Sequence, residues 1–492
     1  MSPSYGDCRI TTAGTAAAHA GRSTSLVLLS LAIACLPTCS RHLDPQDAFD
    51  QAQRAWQRGD VAAAANGAKR GYEDFHNGSH EWAWKFTILR AKALHGQDMN
   101  NDALKLLTSE PAPPSSGDLA VQRLRLESVI YGSLRKFQEA ELRLAEAERL
   151  CADSVYPGCG DVVRARGVLE MKYGHYAQAQ GFFERALAFG RADGDQFLEA
   201  NALLDLSWSA DEQTHFDEAL DWADSAGQLS TASDFNDIAQ AALGNMGWAY
   251  YKLGDSDKAQ EMFIEARKQA EKLSDVSDQA LWLQAVGYIY LDAHKFDDAE
   301  NSYQISLKLA RQIGSREHLV NSLIALAFVS EQTGKLDDAK RYADEALAKA
   351  REDKNGRDQV YPQLVLGHVA ARLHDTATAE NAFREVAQSP DCPVFLKWEA
   401  ERSLARLYED ERQFDSAEGE YRTALTTFET ARSELQHEDS RLPFLTNASR
   451  IYDDYIHFLV TKDKTIEALQ VADFSRARTL KEGLGLLSKG TS

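Results

Sequence analysis

Residues 247–266 read GWAYYKLGDSDKAQEMFIEA, and residues 287–306 read GYIYLDAHKFDDAENSYQIS. The two segments start 40 positions apart and place glycine, alanine and an aromatic residue at the same points. Alanine keeps this period along the middle of the chain, at Ala179, Ala219, Ala259, Ala299, Ala339 and Ala379. Such self-similarity at a fixed spacing predicts a stack of identical supersecondary units.

Each copy of the pattern predicts a pair of helices. Apolar residues recur at intervals of three, four and seven, which is typical of a helix with one buried face. A polar break such as residues 254–256, GDS, indicates a turn between antiparallel helices. Small residues at Gly247 and Ala259 allow the paired helices to approach closely, and Phe263, four residues after the alanine, fills the space beside them. The sequence therefore predicts an all-α solenoid.

The order of small and aromatic residues resembles the tetratricopeptide repeat, over residues 45–480. That family has a period of about 34 residues, and the extra residues of this chain fall outside the motif, in turns such as residues 191–194 and 273–275. The resemblance implies a right-handed superhelical solenoid of ten or eleven hairpins. HEAT-type repeats, the alternative, share the longer period but not this order of residues.

Charge narrows the range of partners. The chain has 492 residues, with 75 Asp and Glu against 54 Lys and Arg, a formal net charge of −21. Such a field repels nucleic acid and anionic lipid surfaces, so neither is an expected partner. The acidic residues either form an ordinary solvated exterior or receive a basic partner.

Residues 1–38 differ from the repeats and predict an export signal. An apolar run at residues 26–36 is too short to span a bilayer but fits the apolar region of a secretory signal. The following residues 36–39, LPTC, resemble the lipobox of bacterial lipoproteins, which implies a lipid on Cys39, and Ser40 favours delivery to the outer membrane. The alternatives are simple secretion after a cut at Ala34, or an unprocessed segment. We therefore expect a leader at 1–38, a linker at 39–44, the solenoid at 45–480 and a tail at 481–492, in a bacterial cell envelope facing the periplasm.

Export would place the remaining cysteines in an oxidising compartment. Cys151 and Cys159 flank a loop that joins two repeats, and they form either a disulfide or two inert thiols. Cys392 has no candidate partner.

Motifs for chemistry are absent from the sequence. We find no glycine-rich phosphate loop, no paired metal-ligand spacing and no nucleophile elbow. We expect no catalytic residue, no cofactor and no metal site.

One constellation follows the repeat. An aromatic or histidine residue comes directly after the first small residue of successive units. In tetratricopeptide proteins the matching position of the first helix points into the concave groove, so the resemblance implies a groove lined by Trp208, Trp248, Tyr251, Lys252, Gln284, Tyr288, Asp292, Phe328 and His368. The rings either pack between successive helices and set the curvature, or grip an apolar or peptide ligand.

The last helices carry a second resemblance. Residues 468–480, ALQVADFSRARTL, resemble the final repeat and linker that precede the caspase-like peptidase domain of CHAT proteins. The alternative is an ordinary final helix whose Arg476 and Arg478 complement its dipole. A peptidase His and Cys pair is absent from this sequence, so the resemblance implies a regulatory arm and not a protease.

Together these features predict an exported scaffold that binds other proteins or peptides through its concave surface. The alternatives are a regulatory arm for a separately encoded caspase-like protease, and a sensor of a small ligand held in the groove.

Overall fold

The structure is a computed structural model, and part of the chain is described in it. The described residues are 44–108, 114–213, 215–352, 356–390, 392–434 and 438–483. The predicted leader, Cys39, the linker before Asp44 and the tail beyond Gly483 lie outside these ranges.

Every regular element in the described ranges is an α-helix, as the periodicity predicts. The helices are α1 Pro45–Gln57, α2 Val61–Phe75, α3 His80–Gly96, α4 Asn100–Leu107, α5 Gly117–Ser133, α6 Phe137–Asp153, α7 Cys159–Tyr173, α8 Tyr176–Asp193, α9 Gln196–Glu212, α10 Phe216–Ala232, α11 Asn236–Lys252, α12 Ser256–Lys272, α13 Val276–Asp292, α14 Phe296–Ile313, α15 Arg316–Gln332, α16 Leu336–Glu352, α17 Gly356–Arg372, α18 Thr376–Gln388, α19 Val394–Asp410, α20 Phe414–Glu434, α21 Glu438–Thr461 and α22 Thr465–Gly483. The last helix continues past the predicted boundary at Leu480. None of the described helices is both long and apolar enough to cross a membrane.

The helices form a stack of antiparallel hairpins. Each odd-numbered helix packs on the even-numbered helix that follows it, and most of the odd-numbered helices also pack on the odd-numbered helix of the next hairpin, as α9 does on α11. Within the described residues, the even-numbered helices of successive hairpins pack less closely on one another. The odd-numbered helices therefore form the inner wall of a curved solenoid, and the even-numbered helices form its outer wall.

The predicted fit between small and aromatic residues is confirmed. A Cβ atom built on Gly247 would lie 2.7 Å from the ring of Phe263, and one built on Gly287 would lie 2.7 Å from the ring of Tyr303. The periodic alanine of the first unit, Ala259, is fully buried beside Phe263. Each ring therefore occupies space that a larger residue in the glycine position would need.

The solenoid curls far enough for distant turns to meet. The Arg58 carbonyl oxygen accepts a hydrogen bond from the Asn236 side chain at 3.2 Å, and the Arg58 guanidinium lies 3.8 Å from the Asp234 carboxylate. A second contact joins the Ser277 hydroxyl to the Asp98 carboxylate at 3.4 Å. The turns after α1 and α3 thus contact the N-terminal ends of α11 and α13 and the turn before α11.

A disulfide joins α6 to α7. The structure links Cys151 and Cys159, whose Cα atoms lie 5.8 Å apart, across the turn between the two helices. Cys392 is a free thiol. Formation of this bond in the isolated protein stays a prediction.

Candidate ligand-binding surface on the inner wall

Four aromatic residues lie in register on neighbouring helices of the inner wall. We call Trp208, Trp248, Tyr288 and Phe328 the aromatic strip, and they stand on α9, α11, α13 and α15. Each follows the small residue that faces the partner helix, so a turn of about 100° directs it away from that helix.

Three side chains of the aromatic strip are more exposed to solvent than the neighbouring residues of the core. Phe328 is 38% exposed although the preceding residue, Ala327, is fully buried. Trp208 is 37% exposed and Tyr288 is 42% exposed. Large apolar side chains with more than a third of their surface in solvent, repeated on three helices, place apolar surface on the inner wall in contact with solvent.

Trp248 is the member of the strip that packs. Its ring lies edge-on to the buried Phe263, with ring centres 5.0 Å apart, and 5.9 Å from the ring of Tyr288 on the next inner helix. Trp248 is only partly exposed. It therefore joins one hairpin to the next, which is the packing role that the sequence left open.

Tyr251 packs against Tyr288. The two rings meet edge to face at 5.4 Å. Burial, together with the neighbouring Tyr288 and a hydrogen bond to Asp292, raises the pKa of Tyr251 above its ordinary value. The hydroxyl therefore stays protonated at neutral pH.

Two charged groups lie beside this aromatic cluster. Lys252 is exposed at the end of α11 and faces Asp211 on α9. Burial raises the pKa of Asp211 to about 6, and the charge of Lys252 opposes that rise.

The prediction for Gln284 as a groove residue is wrong. Its side-chain nitrogen lies within hydrogen-bond distance of three acceptors, the Ser306 and Ser322 hydroxyls at 3.1 and 3.0 Å and the His318 carbonyl oxygen at 3.0 Å. These partners belong to α14 and α15, so the amide serves the contact between helices and is not offered to a ligand.

His368 also departs from the prediction. It is half-buried, its Nε2 atom hydrogen-bonds with the Ser403 hydroxyl at 3.0 Å, and its ring lies 5.3 Å from that of Phe383. Burial lowers its pKa. The side chain is committed to the contact between α17, α18 and α19, so it does not extend the strip.

Tyr361 is a surface residue that the sequence analysis missed. It lies on α17 and is 40% exposed. Burial and the nearby Tyr288, two hairpins away in sequence, raise its pKa to about 12. Its position seven residues before His368, two helical turns along the same face, is the signal that could have located it.

A separate cluster of carboxylates lies at the N-terminal ends of α11 and α13. Asp237, Asp275 and Asp278 have carboxylate oxygens within 4.8 Å of one another, a spacing that could share a cation. Burial and the charge of Asp275 raise the pKa of Asp237 to about 6, and burial also raises that of Asp278. The side-chain nitrogen of Gln240 donates to the Asp278 carboxylate.

Comparisons with known proteins agree with this fold. Residues 237–312 and 278–352 match the tetratricopeptide repeat family. No curated protein matches the sequence of this chain. The fold is similar to that of a Rap protein solved in complex with competence and sporulation factor, at 16% identity and a TM-score of 0.53, over 73% of this chain and 100% of that one. It is also similar to the apo form of the quorum sensor NprR from B. thuringiensis, at 14% identity and a TM-score of 0.51, over 78% of this chain and 98% of that one.

Residues 237–352 thus match the tetratricopeptide repeat family, and the described helices as a whole form an all-α solenoid of tetratricopeptide-like hairpins. At these identities the two solved structures establish the fold alone.

Proposed function

We propose that this protein is a binding scaffold that holds a linear segment of another protein on the aromatic strip. One observation carries the proposal, namely the repeated exposure of Trp208, Tyr288 and Phe328 on the inner helices α9, α13 and α15. Aromatic residues are favoured anchors in protein interfaces. The stacked helices hold them in fixed positions, so little conformational entropy is lost when a partner binds.

The comparisons support this proposal at the level of the fold. A Rap protein with a similar helical stack is known in complex with competence and sporulation factor. A helical stack of this kind can therefore form a complex with another molecule. We assign no catalytic step to this chain, because its sequence offers no motif for one.

Affinity selection tests the proposal directly. The full chain is incubated with a synthetic library of random peptides of about ten residues that have free carboxyl ends, and retained peptides are identified by mass spectrometry. A Trp208→Ala, Phe328→Ala double variant removes two exposed rings from the inner wall. The matched control is Leu142→Ala, which removes an exposed apolar side chain from α6 on the outer wall.

We expect the wild type and the Leu142→Ala variant to bind a selected peptide equally. The double variant should bind it at least about tenfold more weakly, because each interfacial anchor contributes more than about 1 kcal/mol. Thermal unfolding of all three proteins checks that folding is unchanged. Equal binding by the double variant, or the absence of any selected peptide, would contradict the proposal.

We further propose that the leader directs export and that Cys39 carries a lipid, as the resemblance of residues 36–39 to a lipobox suggests. Labelled palmitate should enter the wild type and not a Cys39→Ser variant. Label retained by the variant would contradict lipidation at this residue. The interpretations as a protease-regulating arm or a small-ligand sensor stay predictions.

A further inference from the structure

We infer that the disulfide between Cys151 and Cys159 is a redox-sensitive staple that keeps the first three hairpins closed against α11 and α13. We call these three hairpins, α1 to α6, the N-terminal arm. When a dithiol reduces the bond, the N-terminal arm swings away from α11 and α13 and the solenoid opens. The inference goes beyond the binding of a peptide and does not depend on it.

The joint between α6 and α7 differs from the joints that follow it. Residues 154–158 connect these two helices, whereas the shorter segments 194–195 and 233–235 connect α8 to α9 and α10 to α11. Along this longer connection α6 packs less closely on α7 than α8 does on α9 or α10 does on α11. The joint between α6 and α7 is therefore a place where the stack can bend.

Ion pairs and the disulfide cross from α6 to α7. The Arg166 guanidinium on α7 bonds to Glu141 and Glu148 on α6 at 2.7 and 2.8 Å. Both carboxylates are partly exposed, with 44% and 38% of their side-chain surface in solvent, so salt screens these pairs. The disulfide is a covalent link that salt does not weaken. Reduction therefore makes the contact between α6 and α7 more dependent on ionic strength.

The inner helices α5 and α7 provide the axis of the movement. They pack on each other, and the Gly158 backbone N–H donates to the Asp118 carboxylate of α5 at 3.0 Å. Packed helices lie about 8–10 Å apart, so α1 lies about 25 Å from α7 along the stack of inner helices. At that radius a rotation of about 10° at the joint moves the turn after α1 by about 4 Å. Such a displacement separates groups that now form hydrogen bonds.

The contacts that close the N-terminal arm on α11 lie in solvent. Arg58 and Asp234 form an ion pair at 3.8 Å, with 59% and 71% of their side-chain surfaces exposed. The Asn236 side chain donates to the Arg58 carbonyl oxygen at 3.2 Å, also at an exposed position. Exposed polar pairs stabilise a structure only weakly. These contacts therefore follow the position of the arm and do not fix it.

Like charges oppose closure on α13. The Ser277 hydroxyl donates to the carboxylate of Asp98, in the turn after α3, at 3.4 Å. Burial raises the pKa of Asp275 and Asp278, and the charge of Asp98 adds to the rise in both. Negative charge thus lies on both sides of this contact. Because the closed end is weakly held and partly repulsive, closure depends on the joint between α6 and α7.

Thiol–disulfide exchange is the chemical step. Cys151 is partly exposed and Cys159 is only 5% exposed, so the Cys151 sulfur is the accessible one. A thiolate of the dithiol attacks it and forms a mixed disulfide, and the Cys159 sulfur leaves as a thiolate that takes up a proton. The second thiol of the reductant then displaces Cys151 as a thiol. The cysteine pair gains two electrons and two protons, and the dithiol is oxidised to a disulfide.

Distances between two paramagnetic labels test the inference in the full chain. Arg70 on α2 and Lys268 on α12 are exposed, and each is replaced by a ketone-bearing amino acid that takes a gadolinium chelate without using a thiol. Double electron–electron resonance is recorded before and after treatment with dithiothreitol, at about 0.05 M and about 0.5 M salt. Mass spectrometry determines the state of the disulfide in each sample.

We expect one narrow distance distribution for the oxidised chain at both salt concentrations. At high salt, where the pairs of Arg166 are screened, dithiothreitol should broaden the distribution and change its mean by at least about 4 Å. A Cys151→Ser, Cys159→Ser variant should give the same open distribution without reductant, and Cys392→Ser should behave as the wild type. Thermal unfolding checks that both variants fold.

Three results would overturn the inference. They are equal distances in the oxidised and reduced chains at high salt, a distance in the oxidised chain that changes with salt, and an oxidised wild type that lacks the disulfide. Peptide binding is measured separately, so each of these results leaves the proposed function intact.

Discussion

Replacing Gly247 with alanine should destabilise the solenoid, although alanine is the better helix former. The new Cβ atom would lie 2.7, 2.8 and 3.0 Å from three carbons of the Phe263 ring. That ring is fully buried and lies between Trp248 and Trp282, with ring centres 5.0 and 6.2 Å away. It has little room to move, so the substitution creates an overpacked core.

The magnitude follows from two opposing effects. Overpacking of a tight core costs about 1–3 kcal/mol, and the greater helix propensity of alanine offsets up to about 1 kcal/mol of this. We expect a net loss of about 1–2 kcal/mol. The control is Gly181→Ala on the exposed face of α8, where a Cβ atom would meet nothing within 4 Å. That change should stabilise the chain by up to about 1 kcal/mol.

Urea unfolding followed by circular dichroism measures both variants against the wild type. The midpoints should move in opposite directions. A Phe263→Leu change added to Gly247→Ala should restore part of the loss, because it makes room for the new atom. If Gly247→Ala were as stable as Gly181→Ala, the claim that ring and glycine share this space would be refuted.

Three further outcomes are expected. Gly59 has φ of +79°, and a Cβ atom built on it would lie 3.0 Å from the Cβ atom of Asp237 at the start of α11, whereas Gly174 has φ of +80° and open space around it. Gly59→Ala should therefore lower the melting temperature more than Gly174→Ala, and equal losses would contradict the contact. Burial and a neighbouring carboxylate raise the pKa of Asp237 to about 6. The folded chain therefore binds more protons than the unfolded chain between these pKa values. The free energy of unfolding should fall by about 1–3 kcal/mol as pH rises from about 4 to about 7. An Asp278→Asn change should flatten that dependence, and a curve identical to the wild type would contradict it. Cys151→Ser should lower the unfolding free energy by about 2–3 kcal/mol in oxidising buffer, and it should have little effect in reductant. An intact mass of the wild type that reductant leaves unchanged would exclude the disulfide.

Sequence reasoning succeeds here where the determinants are local and repeated. The contact between Gly247 and Phe263 is set by a spacing within one hairpin, and the same spacing recurs in each copy. It therefore predicts the helices, the turns between them and the faces that pack. The exposed positions of Trp208 and Phe328 follow in the same way from a rotation of one residue along a helix.

Where prediction fails, the cause is a neighbour in another repeat. Gln284 and His368 occupy groove positions, but Ser322 and Ser403 of following helices provide hydrogen-bond partners that draw their side chains into the contacts between helices. The proximity of Tyr361 to Tyr288 depends on how tightly the stack curves. Such curvature results from many small packing differences, and a single sequence does not specify it.

The most direct test of the binding surface is a crosslinking map. A selected peptide carrying a photoreactive diazirine side chain is bound to the full chain, irradiated, and the adducts are located by mass spectrometry. We expect adducts on α9, α11, α13 and α15, close to the aromatic strip, and their loss when unlabelled peptide competes. Competable adducts confined to even-numbered helices such as α10, α12 and α14 would place the partner on the outer wall and contradict the account.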